Sequence, residues 1–253
     1  MTRFKDYLPV TRRNGQHARR RPADPEDPAP LPQLHAPMVA FQRLYEGSAG
    51  SLVRQSLLLS GDSAIADRAL AHAFRLAWER WPEVATDRDP AGWVRATCHE
   101  FALSPWHQLV PDRWRRPVLI GDEHRPLLAG LLALPRGYRR ALLLWDGVGL
   151  TPAEVAAECE ATATATESRV THARAALAER LPVLAAVPPA EHGPLIGALL
   201  TRCADTLPVR PLPAPAALAA SERTSRRIVG AATALVTGTT VTLVGSGLLA
   251  ALQ

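Results

Sequence analysis

Cys98, Cys159 and Cys203 are the only thiols in this 253-residue chain, and they are scattered. They make no CxxC and no Cys/His ligand spacing, a usage that fits a reducing cytosol and argues against a disulfide framework or a zinc site. The eight histidines form no HExxH. No paired carboxylates and no nucleophile elbow are present, so the expectation is no catalysis, no cofactor and no metal. What remains is the chemistry of contact, concentrated in residues 151–181, TPAEVAAECEATATATESRVTHARAALAERL. Thr151 with Glu154 three residues on, and Pro152 at the first helical position, is a capping box. Thr164 with Glu167 repeats the spacing and is expected to open a second helix. Two capped helices about four residues apart have the form of a helix-turn-helix, and equally of an ordinary two-helix corner. Val155, Ala156 and Cys159 can face inward on the first helix; Val170, Ala173, Leu177 and Leu181 form one stripe on the second.

The elements that would position this corner are also helical. Phe41, Leu44 and Tyr45, then Leu52, Val53 and Leu57, recur at helical spacing until Gly61 and Asp62 break the pattern. Ala66, Ala69, Leu70, Ala73, Phe74, Ala77, Trp78 and Trp81 then follow the cleanest 3.6-residue period in the chain. Pro82 ends that helix, and a third is expected around Trp93, Val94, Thr97 and Phe101, stopping before Pro105. Residues 106–125 carry Pro111, Pro117 and Gly121 and read as a linker. Residues 127–134 and 137–145 are two further apolar helices, and the turn at Gly147 and Gly149 leads into the capped pair.

Hydrophobic content of 47% suffices for a core, and the 23 prolines concentrate before Met38 and after Leu181. The expected organisation is therefore a tail (1–37), a helical domain (38–105), a linker (106–125), a helix-turn-helix domain (126–181), a Pro-rich tether (182–227) with one helix able to form at Leu195–Leu207, and a last apolar segment (228–252). The fold class is all-α, with two small helical domains. Of the net charge of +5, residues 1–21 carry an excess of +6, residues 38–106 sum to −1 and residues 126–181 to zero. The basic excess belongs to the tail, which lacks a secretory apolar run and reads as a disordered cytoplasmic segment. Residues 228–252 run 25 positions without a charge. At about 1.5 Å per residue such a helix exceeds a hydrocarbon core of roughly 30 Å, so a transmembrane helix is expected, with a surface-lying segment as the alternative. Arg223, Arg226 and Arg227 precede it, which places the body on the cytoplasmic side of the membrane and the C-terminus outside. Gly230, Ala234, Gly238, Thr242, Ser246 and Ala250 recur every fourth residue, a ridge suited to self-association or to a membrane partner.

Two blocks in this order resemble the extracytoplasmic-function sigma factors of bacteria. GDSAIADRALAHAFRLAWERW (61–81) is similar to the family's region two, keeping Gly61, Asp62, Ala66, Asp67, Ala73, Phe74, Ala77 and Trp78, with Trp93 following. LPRGYRRALLLWDGVGLTPAEVAAE (134–158), with the Ser168, Arg169 and Ala173, Arg174 pairs, is similar to region four. The resemblance implies that region two docks on RNA polymerase core and opens the minus-ten element, while region four reads the minus-thirty-five element. It implies polymerase contacts near Asp67, Arg68, Ala71, His72 and Arg75. It implies promoter DNA contacts at Thr164, Thr166, Ser168, Arg169, Thr171 and Arg174, on the exposed side and amino-terminal end of the recognition helix. Arg169 is the leading candidate for a base or phosphate contact.

Departures from the family pattern weaken those contacts. Arg68, Ala71 and His72 stand where acids and Gln are usual, and Glu167 and His172 where cations are. An acid facing phosphates subtracts from binding driven by charge neutralisation. Glu160 replaces the turn glycine, which demands a left-handed backbone at some strain or another turn shape. The alternative reading is a membrane adaptor that uses the fold to hold a protein partner such as an anti-sigma factor.

Overall fold

The computed structural model describes residues 35–106 and 116–209, and among these every regular element is helical. Helix α1 (His35–Ser60) places Phe41, Tyr45, Ala49, Leu52, Val53 and Leu59 on one buried face. It stops at Gly61, whose φ of +68° is left-handed and costs a residue without Cβ little. Asp62 caps α2 (Ser63–Glu79) by accepting the N–H groups of Ala64 and Ile65 at 2.8 and 3.1 Å. The α2 stripe expected from the sequence is buried from Ala66 through Ala77, whereas Trp78 and Trp81 are half-buried. Phe41 meets Phe74, Trp78 and Trp81 edge-on, with ring centroids 5.8, 5.1 and 5.5 Å away. A short α3 (Trp81–Val84) leads to α4 (Pro90–Ala102), capped by Asp89 on the Gly92 N–H at 2.9 Å. Helices α1, α2 and α4 form the first packet.

Residues 116–120 form a short extended segment lying against the first packet. Its Arg116 carbonyl accepts from Ser63 N–H at 2.8 Å, and its Arg116 N–H donates to the second oxygen of Asp62 at 3.0 Å. One carboxylate therefore caps a helix and straps the following segment to it. Helices α5 (Arg125–Ala133) and α6 (Arg136–Leu142) follow, and α6 widens into a π turn, Leu143–Val148, ended by Gly149 at φ +81°. Then come α7 (Pro152–Glu158), α8 (Ala163–Ala178), a short α9 (Pro182–Ala185) and α10 (Pro189–Thr206).

Two expectations are corrected here. The region from residue 182, read as a Pro-rich tether with one helix at Leu195–Leu207, instead forms two helices, Pro182–Ala185 and Pro189–Thr206, and buries Leu184, Ile196, Leu200, Cys203 and Leu207. Prolines 182, 188 and 189 sit at helix entries, where a missing N–H costs nothing, so they start elements and do not prevent them. Helix α10 lies so close to the π turn that a Cβ on Gly197 would stand 2.4 Å from the Asp146 carbonyl oxygen. The second correction is that the two packets are not separate. A single hydrophobic core runs from Phe41 to Leu207, and α1 packs against α5, α6 and α10. Residues 228–252 and the tail 1–34 lie outside the described residues; no described helix is long and apolar enough to cross a membrane.

Candidate nucleic-acid interface

The corner at residues 151–178 is built as its sequence suggested, with one shift. Thr151 caps α7 in a full capping box, its N–H reaching Glu154 Oε2 at 2.8 Å. Those bonds to Thr151 hold the Glu154 carboxyl below its ordinary value. The second cap is Thr162, not Thr164: Thr162 has an extended backbone and its hydroxyl accepts the Ala165 N–H at 3.2 Å. Thr164 is already inside the helix and exposed. In the turn, Glu160 adopts φ +49°, the one left-handed non-glycine among the described residues. That is the strained turn expected once glycine is missing.

The six candidate DNA-contact residues do not share one face. Thr164, Ser168 and Thr171 are exposed, and His172 beside them donates Nδ1–H to the Ser168 carbonyl at 2.7 Å. Thr166 is fully buried with its hydroxyl unpaired, because the inward stripe continues through Val170, Ala173 and Leu177 at the same angular position. Arg174 is committed elsewhere. Its Nε donates to Asp146 Oδ2 at 2.9 Å and its Nη2 to Oδ1, and its guanidinium lies 5.9 Å from the Trp145 ring centre. The Asp146 side chain is 2% exposed, so this fork holds a buried carboxylate from α6's π turn. Both residues were expected at DNA; the fold buries Thr166 and commits a half-buried Arg174 to Asp146. Arg169 is half-buried and lines a cleft of about 970 Å³ between the two packets, together with Glu160, Arg140, Trp93 and His72.

The five candidate polymerase-contact residues are on the outer side of α2. Asp67 and Arg68 are exposed; Ala71, His72 and Arg75 are half-buried. Arg68 Nε donates to the Ala64 carbonyl at 3.0 Å, and Arg75 pairs with Glu79 one turn on at 2.5 Å. Burial raises the Asp67 carboxyl, opposed by the charge of Arg116. Burial, then the charge of Arg75, lowers His72, whose ring stacks at 4.9 Å on Phe101. His72 therefore belongs to the cleft wall as much as to the outer face.

Pattern reading missed the groups that join the packets. Arg95 on α4 forks onto Glu158 of α7, Nε to the two carboxylate oxygens at 3.0 and 3.1 Å, both side chains 13% exposed. Arg139 on α6 donates to the carbonyl of Leu59 at the end of α1, and to those of Leu132 and Leu134 at 2.7 and 3.0 Å. It satisfies orphan carbonyls at two helix ends at once. No local spacing announces such bonds, since their partners are 63 and 80 residues away. Among the described residues no group of three or more His, Cys, Asp or Glu could hold a metal.

Comparison with known proteins decides the class of this corner. Residues 124–177 match the family model of sigma-70 region 4. In structure, the chain is similar to the sigma factor RpoE of Bartonella quintana, determined in complex with the anti-sigma factor NepR. The similarity covers 57% of this chain and 98% of that one, at 19% sequence identity and a TM-score of 0.51. The described residues therefore have a sigma-factor-like fold. No curated protein matches the chain in sequence. Helices α9 and α10 lie beyond the region-four match.

Proposed function

We propose that this chain is a sigma-factor-like regulator of the extracytoplasmic-function type that binds RNA polymerase core and promoter DNA. In this reading it is held on the cytoplasmic side of the membrane by residues 228–252, with the C-terminus outside. The observation that carries it is the region-four match on a corner whose Thr164, Ser168 and Thr171 face solvent. Elements near minus ten and minus thirty-five are separated by about 25 base pairs, roughly 85 Å at about 3.4 Å per base pair. The packets instead touch through the Arg95 fork at 3.0 Å. Engaging both elements requires the cleft to open, which frees Arg169 as well. Affinity capture of the full-length chain from its own cell tests the reading: core polymerase is expected to come with it. A capture without polymerase, and no salt-sensitive promoter binding, removes it.

A second reading has its own observation behind it. Thr166 and Arg174 are withdrawn from the recognition surface while Glu167 is exposed on it, which leaves few cations for phosphate. That balance supports an adaptor that needs no promoter DNA and grips a protein of the anti-sigma class, the class of partner in the Bartonella complex. Arg169→Ala separates the two readings: it weakens promoter binding in the first and leaves partner capture unchanged in the second.

A further inference from the structure

Two arginines of α6 meet at a place that promoter reading does not use. A cavity of about 360 Å³ opens where the end of α1, the end of α4 and the start of α6 converge. Its charged lining consists of Arg136, Arg139 and Asp62. Asp62 is already spent on three backbone N–H groups, those of Ala64, Ile65 and Arg116, and pairs with neither arginine. Arg139 donates only to neutral carbonyls, and its Nε–H is buried without a partner. Arg136 is half-buried beside it, with no hydrogen bond or ion pair to any described residue. The Ser104 hydroxyl, also in the lining, has no partner there either.

Two guanidiniums drawn partly out of water and side by side repel each other, and a cation lacking a carboxylate loses hydration for nothing. Burial first, and the Arg136 charge second, push the Arg139 guanidinium below its ordinary value. A small anion with several oxygens would remove both costs. Arginine forks match phosphate geometry bidentately, and a hydroxyl supplies the third donor. A carboxylate offers only two oxygens to these donors. We propose that this cavity binds a small phosphate-bearing anion through the Arg136 fork and the Ser104 hydroxyl, in the positive field of Arg139. With about 30 Å³ as a water's share of liquid volume, the cavity is large for a lone phosphate and has room for a second phosphoryl group. Arg136, Leu103 and Ser104 also line the larger cleft, which provides the way in. The walls come from both packets, so the bound anion ties α4 to α6 and favours the closed arrangement.

The test uses the full chain without polymerase or DNA, so its outcome is independent of promoter binding. Inorganic phosphate and pyrophosphate are titrated calorimetrically and in thermal melts, against sodium chloride at matched ionic strength. The expected result is saturable one-to-one binding and a raised Tm with both phosphate probes, absent with chloride. Arg136→Ala is expected to weaken binding about tenfold or more, as for a lost charged hydrogen bond. Arg136→Lys, which keeps the charge and loses the fork, falls between. Arg43→Ala, on the exposed start of α1, leaves affinity unchanged. Phosphate responses no larger than those of chloride overturn the proposal. So does an affinity unchanged in Arg136→Ala whose circular dichroism matches the parent.

Discussion

The polar groups packed around α4 and those around the π turn are satisfied by different means. Around α4 the first packet keeps them neutral. His99 is fully buried with Nε2 on Gln55 Oε1 at 2.8 Å, and burial, helped by Arg140 and Arg95, pushes its pKa down to about 3. Cys98 shares a 3.2 Å contact with Ser56, and burial pushes its thiol up to about 11. The second packet instead buries a full charge, Asp146, and brings Arg174 inward to meet it. A neutral buried group needs only one good hydrogen bond, whereas a buried carboxylate needs either several N–H donors, as Asp62 has, or a cation, and the cation must come from somewhere. Here it comes from the helix expected to read DNA. The comparison explains why α8 carries so little positive charge outward, since one of its two arginines is a structural part.

Breaking that pair should have the largest effect. Asp146→Ala leaves Arg174 half-buried without its partner, and a loss of roughly 3–5 kcal/mol in denaturant unfolding is expected. Arg174→Ala should cost a similar amount; unchanged stability with reduced promoter binding would return Arg174 to the DNA surface.

The neutral strategy of the first packet is visible in pH. The folded His99 pKa lies below the unfolded value near 6.5, so its contribution is complete above that pH. As pH falls from about 6.5 toward 3 the unfolded chain takes up a proton that the folded chain refuses. Stability should drop by up to about 1.4 kcal/mol per pH unit from this group. His99→Gln should flatten that slope, and equal slopes for both proteins would place the proton elsewhere.

Smaller changes sharpen the picture of the second packet's corner. Thr162→Ala should cost about 1 kcal/mol as a lost cap, and Thr164→Ala only a few tenths. The reverse order would restore the cap to Thr164. Glu160→Gly should act in the other direction, adding roughly 0.5–1 kcal/mol by relieving the left-handed backbone. A destabilised variant would mean that this φ carries no strain.

Most of the helical plan was legible because period and caps are local properties. The α2 stripe, the Asp62 and Asp89 stops and the Thr151 box each depend on residues within a turn or two. The errors have one cause. Thr166 and Arg174 look outward when only spacing is counted, because a polar residue on a helix is solvated by default. They point inward because Val170, Ala173 and Leu177 set the buried face and because Asp146 lies across from it. Prolines after Leu181 likewise suggest a tether until Ile196, Leu200 and Cys203 find a core to enter.

By itself the amino-acid order determined the helices up to Leu181, most of their stops and the resemblance of two blocks, because hydrophobic period and capping act over a few residues. Only the tertiary structure decided which arginines are free. The Arg95, Arg139 and Arg174 side chains are consumed by acceptors 63, 80 and 28 residues away. Arg136 and Arg169 are left facing cavities between the packets. A guanidinium's role is set by the nearest acceptor in space, and that distance is a property of the packed chain.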